Sequence, residues 1–345
     1  MKSKDKVLND ILTVDAEKVA SCFDFQELSN KKVIITGANG LIGVNFIASL
    51  LQIGTKVSGI KIFPIIHSKP SGFLSPFLNH KNVQVFIGDL TDGVFTETIP
   101  YADIIIHAAG SGEPSKFMEN TVSSLKINTL TTFKLFEKLN VNGRFLFISS
   151  SEIYHGLKSQ KYSENQIGNT NTDHPRACYI EGKRTGETIC NLYRQQGINA
   201  FSVRLSSTYG PGMSYGDQRV LPSFIQKAIK GKIELLDSGD VTRTFCYISD
   251  AIAMMWHVVL RGKHNCYNVG GVVPIKIKEL AHLIGKLLNV PVIIPKIDTA
   301  VAGAPDSVCL DMNRLLSEYN KFLFVDFEEG VNRTINWYKN LEEKV

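Results

Sequence analysis

Tyr179 and Lys183 stand four residues apart in a strongly helical stretch, so their side chains leave one face of one helix. An ammonium beside a phenol favours the phenolate and draws its pKa from about 10 toward neutrality. A tyrosine tuned in this way can take a proton from an alcohol and give it back. Tyr-x-x-x-Lys alone is common surface decoration, but here it comes third in an ordered series. First comes Thr36-Gly37-Ala38-Asn39-Gly40-Leu41-Ile42-Gly43, between a β-branched run and an apolar helical pattern. Glycines three apart let the backbone turn and approach a pyrophosphate, while the helix start offers free N–H groups and a positive dipole end. The bland alternative is a glycine-rich β–α turn. Second comes Ser149-Ser150-Ser151-Glu152-Ile153-Tyr154, hydroxyls and one carboxylate at the end of a later strand.

A dinucleotide fold usually supplies an acid about 20 residues after the glycines, for the adenosine ribose. No Asp or Glu lies between Gly43 and Asp89. The second strand ends instead in His67, Ser68 and Lys69, which could hold a 2′-phosphate or form a solvated loop. NAD is the expected cofactor, with NADP left open. Asp89 and Leu90, after the third strand, could meet the adenine. Asp89 could equally cap the segment that begins at Thr91.

The elements that position these residues alternate. Strand-like runs at 33–36, 61–66, 83–87, 103–107, 144–149 and 200–205 are separated by helical patterns, including Val122 to Leu139 and Arg176 to Gln196. That order predicts an α/β fold, a Rossmann-type doubly wound parallel sheet. Beyond Ser206 the pattern loosens, and a smaller mixed α/β C-terminal lobe is expected to bind substrate. We read 1–30 as a helical extension, 31–205 as the dinucleotide-binding domain with 240–270 returning to it, and 206–345 as mainly the substrate lobe.

Composition excludes more than it assigns. The 345 residues are 43% hydrophobic and 21% charged, ordinary for a globular protein, and the net charge of +5 is too mild for a nucleic-acid binder. No apolar stretch is long enough to span a membrane. Met1 to Asp10 lacks the apolar core of a secretory signal. The six cysteines, Cys22, Cys178, Cys190, Cys246, Cys266 and Cys309, form no C-x-x-C pair. A cytoplasmic protein with reduced thiols and no metal site is expected.

Over about residues 31–340 the chain resembles the extended short-chain dehydrogenase/reductase family, in its branch acting on nucleotide-linked sugars. The resemblance rests on the glycine loop, Pro175-Arg176-Ala177-Cys178-Tyr179-Ile180-Glu181-Gly182-Lys183-Arg184, Tyr209-Gly210-Pro211-Gly212, Asp217-Gln218-Arg219-Val220 and Thr242-Arg243-Thr244-Phe245. It is most similar to UDP-glucuronate decarboxylases and to dehydratase-like enzymes of surface-polysaccharide pathways. The resemblance implies that Tyr179 takes the proton of a sugar 4-hydroxyl while the C4 hydrogen passes to the nicotinamide. It also implies that Lys183 tunes Tyr179 and meets the nicotinamide ribose, and that Ser150 steadies the hydroxyl. Ala108 and Ala109, after His107, would line the cofactor, and Asn128 would brace the site. Ser207, Arg219 and Arg243 would contact substrate. A homodimer through the helix bearing Tyr179 and its neighbour is expected on the same ground.

A 4-keto sugar can lose carbon dioxide from a C6 carboxylate, lose water, or be reduced on its other face. Dehydratases of this branch usually carry Asp-Glu where Ser151-Glu152 stand here, whereas decarboxylases carry Ser-Glu. Decarboxylation of a nucleotide-linked uronic acid is therefore the leading expectation, with 4-epimerase or 4,6-dehydratase activity as the alternative. A non-catalytic dinucleotide sensor or scaffold is a third reading. One departure stands against the first: Pro305-Asp306 follows Gly303-Ala304, where decarboxylases have an arginine two residues before the proline pair.

Overall fold

The computed structural model describes residues 3–159, 161–295, 309–319 and 323–342. The residues around Gly303, where the sequence lacks the expected arginine, lie outside these. The strands are β1 (Lys32–Thr36), β2 (Lys61–Ile66), β3 (Phe86–Ile87), β4 (Ala102–His107), β5 (Leu139–Ser150), β6 (Asn199–Leu205), β7 (Ser207–Tyr209), β8 (Ile233–Glu234), β9 (Thr242–Tyr247), β10 (Cys266–Val269), β11 (Pro274–Lys276) and β12 (Val292–Ile293). The longer helices are α1 (Ser3–Ser21), α2 (Leu41–Ile53), then, after two short ones, α3 (Ser75–Leu78) and α4 (Gly93–Glu97), the run α5 (Pro114–Glu119), α6 (Thr121–Asn128) and α7 (Leu130–Phe136). They continue as α8 (Ala177–Gln195), α9 (Val220–Ile229), α10 (Ile248–Arg261), α11 (Ile277–Leu288), α12 (Asn313–Glu318) and α13 (Phe327–Glu342).

Seven strands form one sheet in the order β10-β6-β5-β4-β1-β2-β3, every pairing parallel. The apolar runs of β1, β4 and β5 explain this. Along them Ile34, Ile105, Phe145 and Phe147 enter one core, while Val33, Ile35, Ile104, Ile106, Leu146 and Ile148 enter the other. Successive side chains point to opposite faces, so strands apolar at every position must be covered on both. The strand order reverses between β1 and β4, where Thr36 lies beside His107, and that switch point opens a crevice at the carboxyl ends of the strands. Smaller sheets, β11-β9-β7 and β12-β8, stand beyond it.

Two local expectations are corrected. The single helix from Val122 to Leu139 is two helices, broken at Thr129 (φ −116°, ψ −81°), and Leu139 already starts β5. The run 83–87 pairs as a strand only at Phe86–Ile87, with Val83 making an isolated bridge to Ile62. The N-terminal segment is built into the body. Leu8 and Leu12 of α1 are fully buried, and the buried Asp15 accepts hydrogen bonds from Tyr247 Oη (2.6 Å) and Arg333 Nη1 (3.0 Å). Among the described residues no helix is long and apolar enough to cross a membrane.

Candidate active site

The glycine loop joins β1 to α2 and forms one wall of the crevice. Gly37 has φ +64°, and a Cβ there would stand 2.4 Å from the carbonyl oxygen of Ala108. Only glycine allows the loop to lie against the end of β4 in this way. Gly43 packs α2 just as closely, since its Cβ would meet Gly37 O at 2.5 Å. Gly40 caps α2 in extended conformation without a side-chain bond, which leaves the first-turn N–H groups of the helix facing the crevice. Gly37, Gly40, Leu41, Ile42 and Ala108 line it, a backbone cradle that fits a dinucleotide pyrophosphate.

Behind the cradle, the Ala109 N–H donates to Thr36 Oγ1 (3.0 Å), and Thr36 Oγ1 meets His107 Nδ1 (2.8 Å). His107 Nε2 lies 2.9 Å from the Ile127 carbonyl, so Nε2 carries the proton and Nδ1 accepts. Burial holds this histidine neutral, its pKa pushed down to about 3. Its work is to tie β1, β4 and α6 together.

A second groove continues from the first, sharing Gly37, Gly110, Ser111 and Lys116 with it, and is walled by His67, Asp89, Leu90 and Ala109. His67 Nε2 approaches Asp89 to 3.9 Å. Asp89 Oδ1 accepts from Thr91 N and Oγ1, both at 2.8 Å, which lowers its pKa, but the N-cap of α4 is Asp92 rather than Asp89. Ser68 and Lys69 are exposed and do not line the groove. Asn39 works from outside it, pinning their loop through Nδ2 to Lys69 O (3.2 Å) and Oδ1 from Ser71 N (2.8 Å).

On the other side, β5 delivers Ser149, Ser150, Ser151 and Glu152 to the crevice, and α8 delivers Tyr179 and Lys183. Phe117 stacks on the Tyr179 ring at 4.4 Å and 8° and seals it from solvent. The Tyr179 pKa departs from expectation. Burial pushes it up to about 12, against a hydrogen bond from Ser150 and the charge of Arg219 that draw it down. Lys183 lies over the ring. Its Nζ donates to the Ile148 carbonyl (2.7 Å) and sits 5.5 Å from the phenol ring centroid, and burial pushes its own pKa down to about 7. Each group loses more by desolvation of its charged form than its neighbour returns.

The rest of this wall is made of acid–base pairs. Arg219 grips Asp217 (Nη2 to Oδ2, 2.6 Å), and both line the crevice with Ser207. Glu113, buried on the loop after β4, accepts from Lys116 Nζ (3.1 Å) and Ser115 Oγ (3.2 Å). Glu152 accepts on both oxygens from Arg176 Nη1, each at 3.1 Å. Glu113, Asp217 and Arg176 were missed as site residues in the sequence. Arg176 and Asp217 sit inside motifs quoted above, two or three residues from recognised positions, whereas Glu113 carries no signal beyond being an acid after Gly110. Arg243, on β9, does not line the crevice, and Asn128 sits behind the wall, donating to Ser124 O (2.7 Å) with Oδ1 buried and unpartnered.

Comparison with known proteins agrees with this geometry. Residues 33–270 match the NAD dependent epimerase/dehydratase family. UDP-glucuronic acid decarboxylase 1 of Xenopus tropicalis is 29% identical over 326 residues, covering 92% of this chain and 75% of that protein. A solved epimerase from Methanothermobacter thermautotrophicus superposes with TM-score 0.79 at 21% identity, over 93% of this chain and 95% of that one. UDP-glucuronic acid 4-epimerase from Bacillus cereus, solved with UDP-glucuronic acid and NAD, does so with TM-score 0.76 at 22% identity, over 90% and 99%. The chain belongs to the NAD dependent epimerase/dehydratase family.

Proposed function

We propose that this enzyme acts on a nucleotide-activated sugar through a 4-keto stage, and that it decarboxylates a nucleotide-linked uronic acid such as UDP-glucuronate. The observation that carries the reading is Glu152 in the crevice beside the Ser150–Tyr179 pair, with a serine at 151 that cannot protonate a leaving hydroxyl. Similarity to UDP-glucuronic acid decarboxylases supports it. The glycine-loop half holds the cofactor, and residues from Ser206 onward contribute most of the wall facing the sugar.

NAD held in the cradle of Gly37, Gly40, Leu41 and Ile42 would supply reversible hydride transfer at C4. The chain's residues do the rest. Ser150 holds the 4-hydroxyl, and Tyr179 takes its proton as the phenolate, the form that the Ser150 hydrogen bond and the Arg219 charge favour against burial. The resulting ketone lies β to the C6 carboxylate, so the C5–C6 bond can break, its electron pair moving to the C4 oxygen as carbon dioxide leaves. C5 then takes a proton from solvent relayed through Glu152, the acid that reaches the crevice beside Ser150, and Tyr179 returns its own proton when C4 is reduced. No external oxidant is consumed. Arg219 faces the anionic nucleotide, where a bidentate guanidinium suits a phosphate.

The absence of an arginine at Gly303 favours a second reading, 4-epimerisation of a neutral hexose, which needs no cation for a carboxylate. The test is to incubate the protein with UDP-glucuronate, UDP-glucose and dTDP-glucose and weigh the products. Loss of carbon dioxide supports the first reading. Unchanged mass on a hexose, or loss of water, with uronate untouched, overturns it. We further propose a cytoplasmic homodimer. Exposed Val122, Leu125, Phe133 and Leu192 on α6, α7 and α8 offer an apolar face for a second copy, which sedimentation would detect.

A further inference from the structure

Glu152 and Arg176 form a pair in which only the acid reaches the crevice. Glu152 lines it, while Arg176 does not. Both are mostly covered, their side chains 23% and 15% exposed, and one guanidinium nitrogen bonds both carboxylate oxygens. The anchoring on each side is local and stiff. Glu152 begins a short turn at the end of β5 whose first bond runs from Glu152 N to Ser150 Oγ (3.2 Å). Arg176 immediately precedes α8, its carbonyl accepts from Tyr179 N (3.1 Å), and its own N–H donates to His174 Nδ1 (3.2 Å). The ion pair therefore locks the turn bearing Ser150 and Glu152 to the first turn of the helix bearing Tyr179.

We propose that Arg176 is a positioning residue that aims the Glu152 carboxylate at C5 of the bound sugar, while Tyr179 and Ser150 handle C4 without it. This rests on the decarboxylase reading. A glutamate has three side-chain torsions, and an unheld carboxylate in a polar crevice spreads over many rotamers. Misplacement by about 1 Å can cost on the order of 100-fold in rate. Removal of the guanidinium should then slow the events at C5 and leave oxidation at C4 intact.

The experiment uses the NAD-loaded protein with UDP-glucuronate. Three quantities are followed: carbon dioxide release, substrate affinity by calorimetry, and the transient absorbance of reduced cofactor. Arg176→Met should lower carbon dioxide release ~100-fold, with affinity within about twofold and the reduced-cofactor transient preserved and prolonged. Arg176→Lys, which keeps a single cationic nitrogen on a shorter and more flexible stem, should recover part of the loss. Glu152→Gln combined with Arg176→Met should be no slower than Glu152→Gln alone, because the two act as one unit. Parallel loss of oxidation and carbon dioxide release, or additive effects in the double variant, overturns the inference and leaves the decarboxylase reading standing. So does wild-type release by Arg176→Met. If the wild type releases no carbon dioxide and inverts a neutral hexose instead, the function and the inference fall together.

Discussion

At the glycine loop the crevice is walled by backbone. Gly37 lies under the Ala108 carbonyl, Gly43 under Gly37, and the first turn of α2 offers N–H groups with no side chain intervening. At the opposite end it is walled by side chains, and each acid that reaches it is already held: Glu113 by Lys116, Glu152 by Arg176, Asp217 by Arg219. A backbone cradle recognises what every dinucleotide shares, and little variation in it is tolerated. A wall of paired side chains can be rebuilt one pair at a time without disturbing the sheet behind it.

The contrast can be broken at the junction of the two ends. Tyr179→Phe should cost ~10²–10⁴-fold in turnover, with the nucleotide sugar still bound, as steady-state kinetics and calorimetry would show. Turnover equal to the wild type would remove Tyr179 from the chemistry. At the backbone end, Gly37→Ala should weaken NAD about 10- to 100-fold, since a Cβ there clashes with Ala108 and the positive φ is strained. Cofactor fluorescence titration reads this directly. At the side-chain end, Arg219→Ala should raise KM for the nucleotide sugar about tenfold while NAD affinity stays put. A shift in NAD affinity instead would show that the two ends are not separate.

The smallest effect is on stability against pH. Lys183 is buried and its pKa is pushed down to about 7, so above that value the folded state holds fewer protons than the unfolded one. Stability of the wild type relative to Lys183→Met should rise as pH climbs from about 7 toward the ordinary lysine value, read from urea midpoints. A flat difference across that window would mean that the ammonium is solvated.

This division also explains what could be read from the chain. Glycine spacing, β-branched runs and the Tyr179–Lys183 interval are local patterns, and the sheet and the cradle follow from them. The break at Thr129 carries no Gly or Pro and escaped periodicity. Arg176–Glu152 and the Glu113 position depend on loops meeting across 24 positions or across the fold, where spacing says nothing. Proximity in sequence did place a cation over the phenol ring, but the burial that raises the Tyr179 pKa and the Ile148 carbonyl that binds the lysine belong to the fold and carry no local pattern.

Asp15 has a consequence for how the chain is made. Its partners Tyr247 and Arg333 follow it by 232 and 318 positions. The helix α1 packs most heavily on α2, its neighbour in sequence, and can settle there early, whereas Asp15 finds these two partners only when β9 and α13 are in place. Closing contacts of such sequence separation is slow, so the buried pairing of Asp15 with Arg333 belongs to the late steps of folding.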